Sequence, residues 1–251
     1  MATYVVSDLH GQIDIFKELL KRIDFSEKDY MYVLGDAIDR GPHGIELLQM
    51  IKSASNMDLL LGNHEHMMLN SVAKDGSVDD LPGPDADLWF DMNGGDITFE
   101  AYSKLPIAER VDLLQWLRTR KVLTLVNVNN KKYCLSHSYY KEDMIDVPYE
   151  ERTPIKSFSV VWCSPFRFDT YKPISDYNIP DTTFIIGHVP VQRVVEMMDD
   201  GIEAYKEANV VLIDGGCAFS VNPNRDKDTY GAICLRLDDM EENVIYMSDV
   251  E

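Results

Sequence analysis

Five short segments of this 251-residue chain bring carboxylates, imidazoles and a side-chain amide together: Asp8-Leu9-His10-Gly11, Gly35-Asp36-Ala37-Ile38-Asp39-Arg40-Gly41, Gly62-Asn63-His64-Glu65, Leu135-Ser136-His137 and Ile186-Gly187-His188. Each follows an apolar run, so each polar cluster begins where a buried strand should end. In an extended segment residues two apart point the same way, so Asp8 and His10 can reach one point together. Five of the six histidines (His10, His64, His66, His137 and His188) fall at or beside such run ends, where chance would scatter them over the surface. Carboxylate, imidazole and amide-carbonyl ligands without a thiolate suit manganese, iron or zinc in a mixed oxygen and nitrogen site. Two aspartates, one asparagine and three histidines are enough for two ions rather than one.

The pattern between these segments supplies the elements that must position them. Residues 3–6 read as a short buried strand, followed by helical spacing at Phe16, Leu19, Leu20 and Ile23. Residues 30–34 and 57–61 repeat the strand, Ile45, Leu48 and Ile51 mark a helix between them, and a further helix starts near Asn63. This alternation predicts a parallel sheet with right-handed crossovers, whose ligands collect at the carboxyl ends of the strands. From about residue 74 to 105 the breakers Asp75-Gly76, Leu81-Pro82-Gly83-Pro84 and Asn93-Gly94-Gly95 interrupt short helical pieces, which reads as an insertion over the sheet. Ile107, Val111, Leu114 and Leu117 mark an amphipathic helix, and residues 122–127 with 132–136 a hairpin around Asn129-Asn130. Residues 138–180 are loop-rich. Strands near 183–186, 210–213, 230–237 and 243–246 read as a second, mostly antiparallel sheet.

Charge narrows the partners. With 24 Lys and Arg against 43 Asp and Glu, the chain carries −19 when its histidines are neutral. That excess repels polyanions, and the densest basic clusters, Arg118-Thr119-Arg120-Lys121 and Lys131-Lys132, are too short to override it. Neither a nucleic acid nor a membrane surface is therefore expected as a partner. The N-terminal apolar segment is too short for a signal peptide and no run approaches the roughly 20 apolar residues of a membrane span, so a cytoplasmic protein is expected. Cys134, Cys163, Cys217 and Cys234 lie far apart and read as core thiols, not as a disulfide framework or zinc knuckle. The length allows one well-buried domain over residues 1–251. Oligomeric state is left open.

Taken in order, D-x-H, G-D-x-x-D-R-G, G-N-H-E, a lone His and G-H resemble the motif set of the calcineurin-like metallophosphoesterase superfamily. The Arg of Asp39-Arg40-Gly41 and the Glu of Gly62-Asn63-His64-Glu65 narrow the resemblance to the phosphoprotein phosphatase family, in particular its bacterial and phage lambda-type serine/threonine phosphatases. Asn93-Gly94-Gly95-Asp96-Ile97-Thr98-Phe99 is similar to a short motif of those bacterial members. The resemblance implies an α/β fold, a β-sandwich of two mixed sheets flanked by helices with an inserted helical segment. It implies Asp8, His10 and His188 as ligands of a first ion, Asp36 as a carboxylate bridging both, and Asn63 and His137 as ligands of a second. It further implies that Arg40 grips the substrate phosphate, with Asn63 beside it, and that His64 is a general acid oriented by Asp39. Arg167, at the end of Trp162-Cys163-Ser164-Pro165-Phe166-Arg167, is similar to a second phosphate-binding arginine, although Cys163 and Ser164 depart from the family pattern.

On that resemblance two divalent ions, manganese foremost with iron or zinc accepted, lower the pKa of a bound water toward about 7, and hydroxide attacks phosphorus directly. The implied substrate is a phosphoserine or phosphothreonine of a protein or peptide. A dinucleoside polyphosphate hydrolase is the alternative enzyme. It should need an aromatic or basic surface for adenine and the extra phosphates; the insertion offers Trp89, Phe90, Phe99 and Tyr102 but only Lys74 and Lys104 as cations, which suits packing better than a polyphosphate. An inactive phosphate-binding scaffold would have lost a ligand or the acid, and every expected position is filled. Cys163 is no phosphatase nucleophile, because Asp169 stands where C-x-x-x-x-x-R needs arginine. His43 and His66 match no ligand position and read as surface or supporting residues. Asp214-Gly215-Gly216 resembles the family's last strand end, or is a simple turn. Two ions with Arg40 and Arg167 would make a positive pocket in a negative protein.

Overall fold

The computed structural model describes residues 1–151, 154–194 and 202–250. The first sheet starts from β1 (Thr3–Val6), which pairs in parallel with β2 (Tyr30–Val33), itself parallel to β3 (Met57–Leu59). The crossovers are α1 (Ile13–Arg22) and α2 (Gly44–Ser53). Helix α1 buries Ile13, Ile15, Phe16 and Leu19, and its Asp14 near the start and Lys21 and Arg22 at the end complement the helix dipole. Helix α3 (Asn63–Ser71) follows β3 after a three-residue turn and is buried along nearly its whole length.

The insertion folds as α4 (Ala86–Phe90) and α5 (Gly95–Ser103), which lie against α3 and α2. Trp89 and Tyr102 are wholly buried there. Helix α6 (Ile107–Arg118) leads to the expected hairpin of β4 (Leu123–Val128) and β5 (Lys131–Ser136). The second sheet adds β6 (Thr182–Ile186), β7 (Tyr205–Glu207) and β8 (Val210–Leu212) in the order β4-β5-β6-β8-β7. Helix α7 (Pro154–Trp162) lies within the stretch expected to be loop-rich, and the short α8 (Val191–Val194) follows β6.

Two expectations about the second half are corrected. The strands read near 230–237 and 243–246 are β9 (Gly231–Arg236) and β10 (Glu241–Tyr246), and they belong to the first sheet, in the order β10-β9-β1-β2-β3. Ala232, Ile233, Cys234 and Leu235 are all fully buried, so β9 is covered on both faces and pairs on both edges, with β10 and with the edge of β1 that β2 leaves open. The second sheet is mixed rather than mostly antiparallel: β5-β6 and β6-β8 are parallel. The 45 residues between β5 and β6 exceed any hairpin and permit a parallel return. The architecture is thus α/β, two mixed five-stranded sheets with flanking helices. Among the described residues no helix is long and apolar enough to cross a membrane. The four cysteines are buried and unbridged.

Candidate active site

Six strands deliver their carboxyl ends to one place. Asp8 and His10 follow β1, Asp36 to Arg40 follow β2, Asn63 and His64 open α3 after β3, His137 follows β5, His188 follows β6 and Asp214 follows β8. The loops are tied to one another through the main chain: Asp8 N–H donates to Gly35 O (3.1 Å), His10 N–H to Asp36 O (2.8 Å), Gly41 N–H to His10 O (3.0 Å) and Gly187 N–H to His137 O (2.8 Å). Asp8, His10, Asp36, Asp39, Arg40 and His188 all sit in left-handed backbone, with φ of 55°, 43°, 52°, 69°, 68° and 73°. Each costs about 1–2 kcal/mol relative to ordinary backbone, and such strain gathers where side chains must be aimed. Gly62 and Gly187 are small for the same reason: a Cβ on the first would collide with Asp36 Oδ1, and on the second with Ser7 and Asp8.

Glu65, wholly buried, braces the arrangement. Its Oε2 accepts from Asp36 N–H and Gly62 N–H, each at 2.9 Å, and its Oε1 from Ala37 N–H at 2.8 Å. Glu65→Ala would strand three buried N–H groups at about 1–3 kcal/mol apiece. A loss of about 3 kcal/mol or more in a urea titration is the expected result; a loss below about 1 kcal/mol would mean that water replaces the carboxylate.

At the centre, Asp36 Oδ2 faces His137 Nε2 at 3.5 Å, His64 Nε2 at 3.7 Å and His10 Nε2 at 3.8 Å. Asn63 Oδ1 lies 2.9 Å from both His137 Nε2 and His188 Nδ1. The other nitrogens of His10 and His137 donate to Ile38 O (3.1 Å) and Leu34 O (2.7 Å), which leaves each Nε2 without a proton and turned inward. Buried lone pairs therefore face one another, an arrangement that a cation relieves. Two groups fit one ion each: His10, Asp36 and His64, and Asp36, His137 and His188, the latter beside Asn63. Burial, then the neighbouring Asp214, pushes the Asp8 carboxyl well up; burial, then Asp8 and Glu65, does the same to Asp36. Burial holds His10 and His188 well below the usual imidazole range and brings His137 down to about 4. Uncharged imidazoles of this kind are ready ligands.

Beside this centre His64 Nδ1 lies 2.6 Å from Asp39 Oδ2, and Arg40 Nη2 is 3.3 Å from His64 Nε2. Trp89 Nε1–H donates to the same Asp39 oxygen at 2.8 Å, and Thr98 Oγ1 accepts from Asp39 N–H at 2.9 Å. Burial pushes His64 well down and Asp39 up to about 7, with the contacts to Thr98 and Trp89 opposing the latter. The site opens into a cavity of about 300 Å³ lined by Arg40, Arg167 and Arg193, with Trp162 and Phe219 as its aromatic walls. Arg167 Nη1 reaches His188 Nε2 at 3.1 Å, while its Nε bonds Asp169 at 2.8 Å.

The structure gathers the expected residues with some regrouping. His188 was expected with Asp8 and His10, yet its imidazole sits with Asn63 and His137, while only its backbone N–H reaches Asp8, at 2.9 Å. Asp8 belongs to neither group of three. His66 is no surface residue: it is buried between Tyr149 Oη and Asn70 Nδ2, each 3.0 Å from its ring, and burial lowers its pKa to about 4. His43 is a surface residue near Glu46. Asp214 is more than a turn residue, being buried in the wall of the cavity. The bracing role of Glu65, the contacts of Trp89 and Thr98, and the wall residues Arg193 and Phe219 carried no expectation. The Asn93 to Phe99 motif was the available signal for Thr98.

Comparison with known proteins agrees with this geometry. The sequence model of the calcineurin-like phosphoesterase family matches residues 1–216. A serine/threonine-protein phosphatase 2 of Salmonella typhimurium is 27% identical over 224 residues, 87% of this chain and 89% of that protein. A symmetrical bis(5'-nucleosyl)-tetraphosphatase of Buchnera aphidicola is 29% identical over 140 residues, 55% of this chain but 44% of that protein, so the match spans less than half of the relative. Among solved structures, a putative diadenosine tetraphosphatase superposes with a TM-score of 0.57 at 14% identity, covering 97% of this chain and 92% of that one, a likeness of fold.

Proposed function

The chain belongs to the calcineurin-like phosphoesterase family, and from that premise we propose that it hydrolyses phosphoserine and phosphothreonine monoesters of proteins with the help of two divalent ions. Asp36 would be shared between the ions, with His10 and Asp8 on one side and Asn63, His137 and His188 on the other. Manganese suits this oxygen and nitrogen set, and iron or zinc would be accepted. When bound, such ions supply Lewis-acid charge and an acidified water.

The chain's own residues account for the rest. Arg40 lies beside His64 and Arg167 beside His188, and both line the cavity, so a phosphate between them could take donors from both guanidiniums. On binding phosphate, Arg40 would turn its donors from His64 Nε2 to the substrate. That nitrogen is then free to carry a proton to the departing alkoxide, while Asp39 holds Nδ1–H.

The observation that carries the reading is the state of the insertion. Trp89 and Tyr102, two of the four aromatics that the insertion offers, are wholly buried and present adenine no face, while Phe90 and Phe99 line an open pocket whose Asp96 and Glu100 disfavour a polyphosphate. Similarity to a serine/threonine phosphatase over 87% of this chain supports the same choice. One observation favours the tetraphosphatase alternative: Arg193 and Phe219 line the cavity, and a polyphosphate with a base could use them. Turnover of a phosphoserine peptide and of diadenosine tetraphosphate, compared side by side in manganese, tests the choice. Higher kcat/KM on the peptide is expected; preference for the dinucleotide would overturn the proposal.

A further inference from the structure

We propose that Trp89 is a positioning residue for proton transfer: its indole N–H fixes the Asp39 carboxylate, which in turn aims His64. The inference rests on the proposed role of His64 as proton donor.

Asp39 Oδ2 accepts from both Trp89 Nε1–H (2.8 Å) and His64 Nδ1–H (2.6 Å), while its Oδ1 is buried with no hydrogen-bond partner among the described residues. A carboxylate held by the imidazole alone could rotate and present either oxygen. The second donor, aimed at the same oxygen, removes that freedom. The segment around Trp89 also holds the backbone on which the carboxylate stands. Asp39 N–H donates to Thr98 Oγ1 at 2.9 Å and Arg40 N–H to Gly94 O at 3.2 Å, at the two residues whose φ values are 69° and 68°. Gly95 makes room for the indole, because a Cβ there would come within 2.5 Å of Trp89 Nε1. Trp89, Gly94, Gly95 and Thr98 thus act on one target. That gives the Asn93 to Phe99 motif a physical purpose: it clamps the Asp39-Arg40 peptide and the imidazole behind it.

Packing alone would make a different prediction. Trp89 also meets Phe99 edge to face at 6.3 Å, and a purely structural tryptophan would, when replaced, lower activity on every substrate alike. A positioning role predicts a loss that depends on how badly the leaving group needs its proton.

Trp89→Phe keeps an aromatic ring and removes the donor. It is expected to lower kcat on a phosphoserine peptide by about 10–100-fold, the scale known for outer hydrogen-bonding partners of metal ligands, with KM nearly unchanged and a smaller loss on para-nitrophenyl phosphate. Bound manganese should be unaltered. In the metal-free protein the downfield proton resonance of His64 Nδ1–H should move in Trp89→Phe. Thr98→Ser, which keeps the hydroxyl acceptor, should retain activity that Thr98→Val loses. Equal losses on both substrates, or an unmoved His64 resonance, would overturn the role assigned to Trp89. If instead His64→Asn itself showed no leaving-group dependence, the proton-donor reading would fail, and the resonance would still report whether Trp89 sets the dyad.

Discussion

His64→Asn is expected to lower kcat on a phosphoserine peptide by about 10²–10⁴-fold, the usual contribution of a general acid, and to lower it far less on para-nitrophenyl phosphate. An alkoxide is a poor leaving group and departs only with a proton, whereas nitrophenolate departs without one. His64 is placed for that work: its side chain is buried, Asp39 fixes Nδ1 at 2.6 Å, and Nε2 points into the cavity beside Arg40. Burial, then the Arg40 charge, holds its pKa well down in the free site. A phosphate dianion drawn between Arg40 and the imidazole reverses that balance and favours the protonated ring when substrate is present. Asparagine retains a polar group of similar reach and leaves Asp36 and Asn63 in place, so bound manganese should be unchanged. Equal losses on the two substrates with metal retained would refute the assignment. His64 Nε2 also lies 3.7 Å from Asp36 Oδ2, so loss of metal from the variant would show instead that the imidazole is a ligand.

Much of this site was legible because chemistry and strand ends coincide in the sequence. Residues 3–6, 30–34 and 57–61 read as short strands that stop abruptly at polar clusters, and a parallel sheet brings its carboxyl ends together. What was not legible depends on contacts between distant segments. Nothing local to residues 231–236 says that they pair with β1 rather than with the second sheet, because a strand buried on both faces has the same composition in either. Trp89 reads as packing until the fold carries it 50 positions back along the chain to Asp39. His188 reaches two ways, its main chain to Asp8 and its ring to Asn63, and a motif match cannot tell which contact matters. Glu65 was visible as part of a motif, but its three backbone bonds appear only when β2 and α3 are side by side.

The net charge of −19 also takes on a local meaning. Arg40, Arg167 and Arg193 line one cavity of a protein whose net charge is strongly negative, so on the proposed function any attraction for phosphate would act at short range within a repulsive surround. Acidic groups elsewhere on such a substrate would meet the surround, and its phosphate the arginines.

Asp36→Asn is expected to abolish most turnover on every phosphoester, alkyl and aryl alike, together with the gain in thermal stability that manganese confers. Asp36 Oδ2 faces His10, His64 and His137 together, and Oδ1 accepts from His64 N–H at 3.0 Å. An asparagine can preserve that backbone contact and the volume, so the fold should survive, but it removes the charge shared by the two groups of ligands. The activity lost should exceed the roughly 10–100-fold that follows loss of an outer hydrogen-bonding partner of a ligand. Ligand linkage sets the second readout. A metal that binds only the folded state at 100 times its Kd stabilises by about 2.7 kcal/mol, so manganese should raise the Tm of the wild type and move that of the variant little. In metal-free buffer the order should reverse or vanish, because burial and the neighbouring Asp8 already push the Asp36 carboxyl well up, and the neutral amide relieves that crowding. A variant that kept its turnover, or that gained as much from manganese as the wild type, would place the ions away from Asp36. The contrast with His64 makes the two experiments complementary: loss of the acid should discriminate between leaving groups, and loss of the shared carboxylate should not.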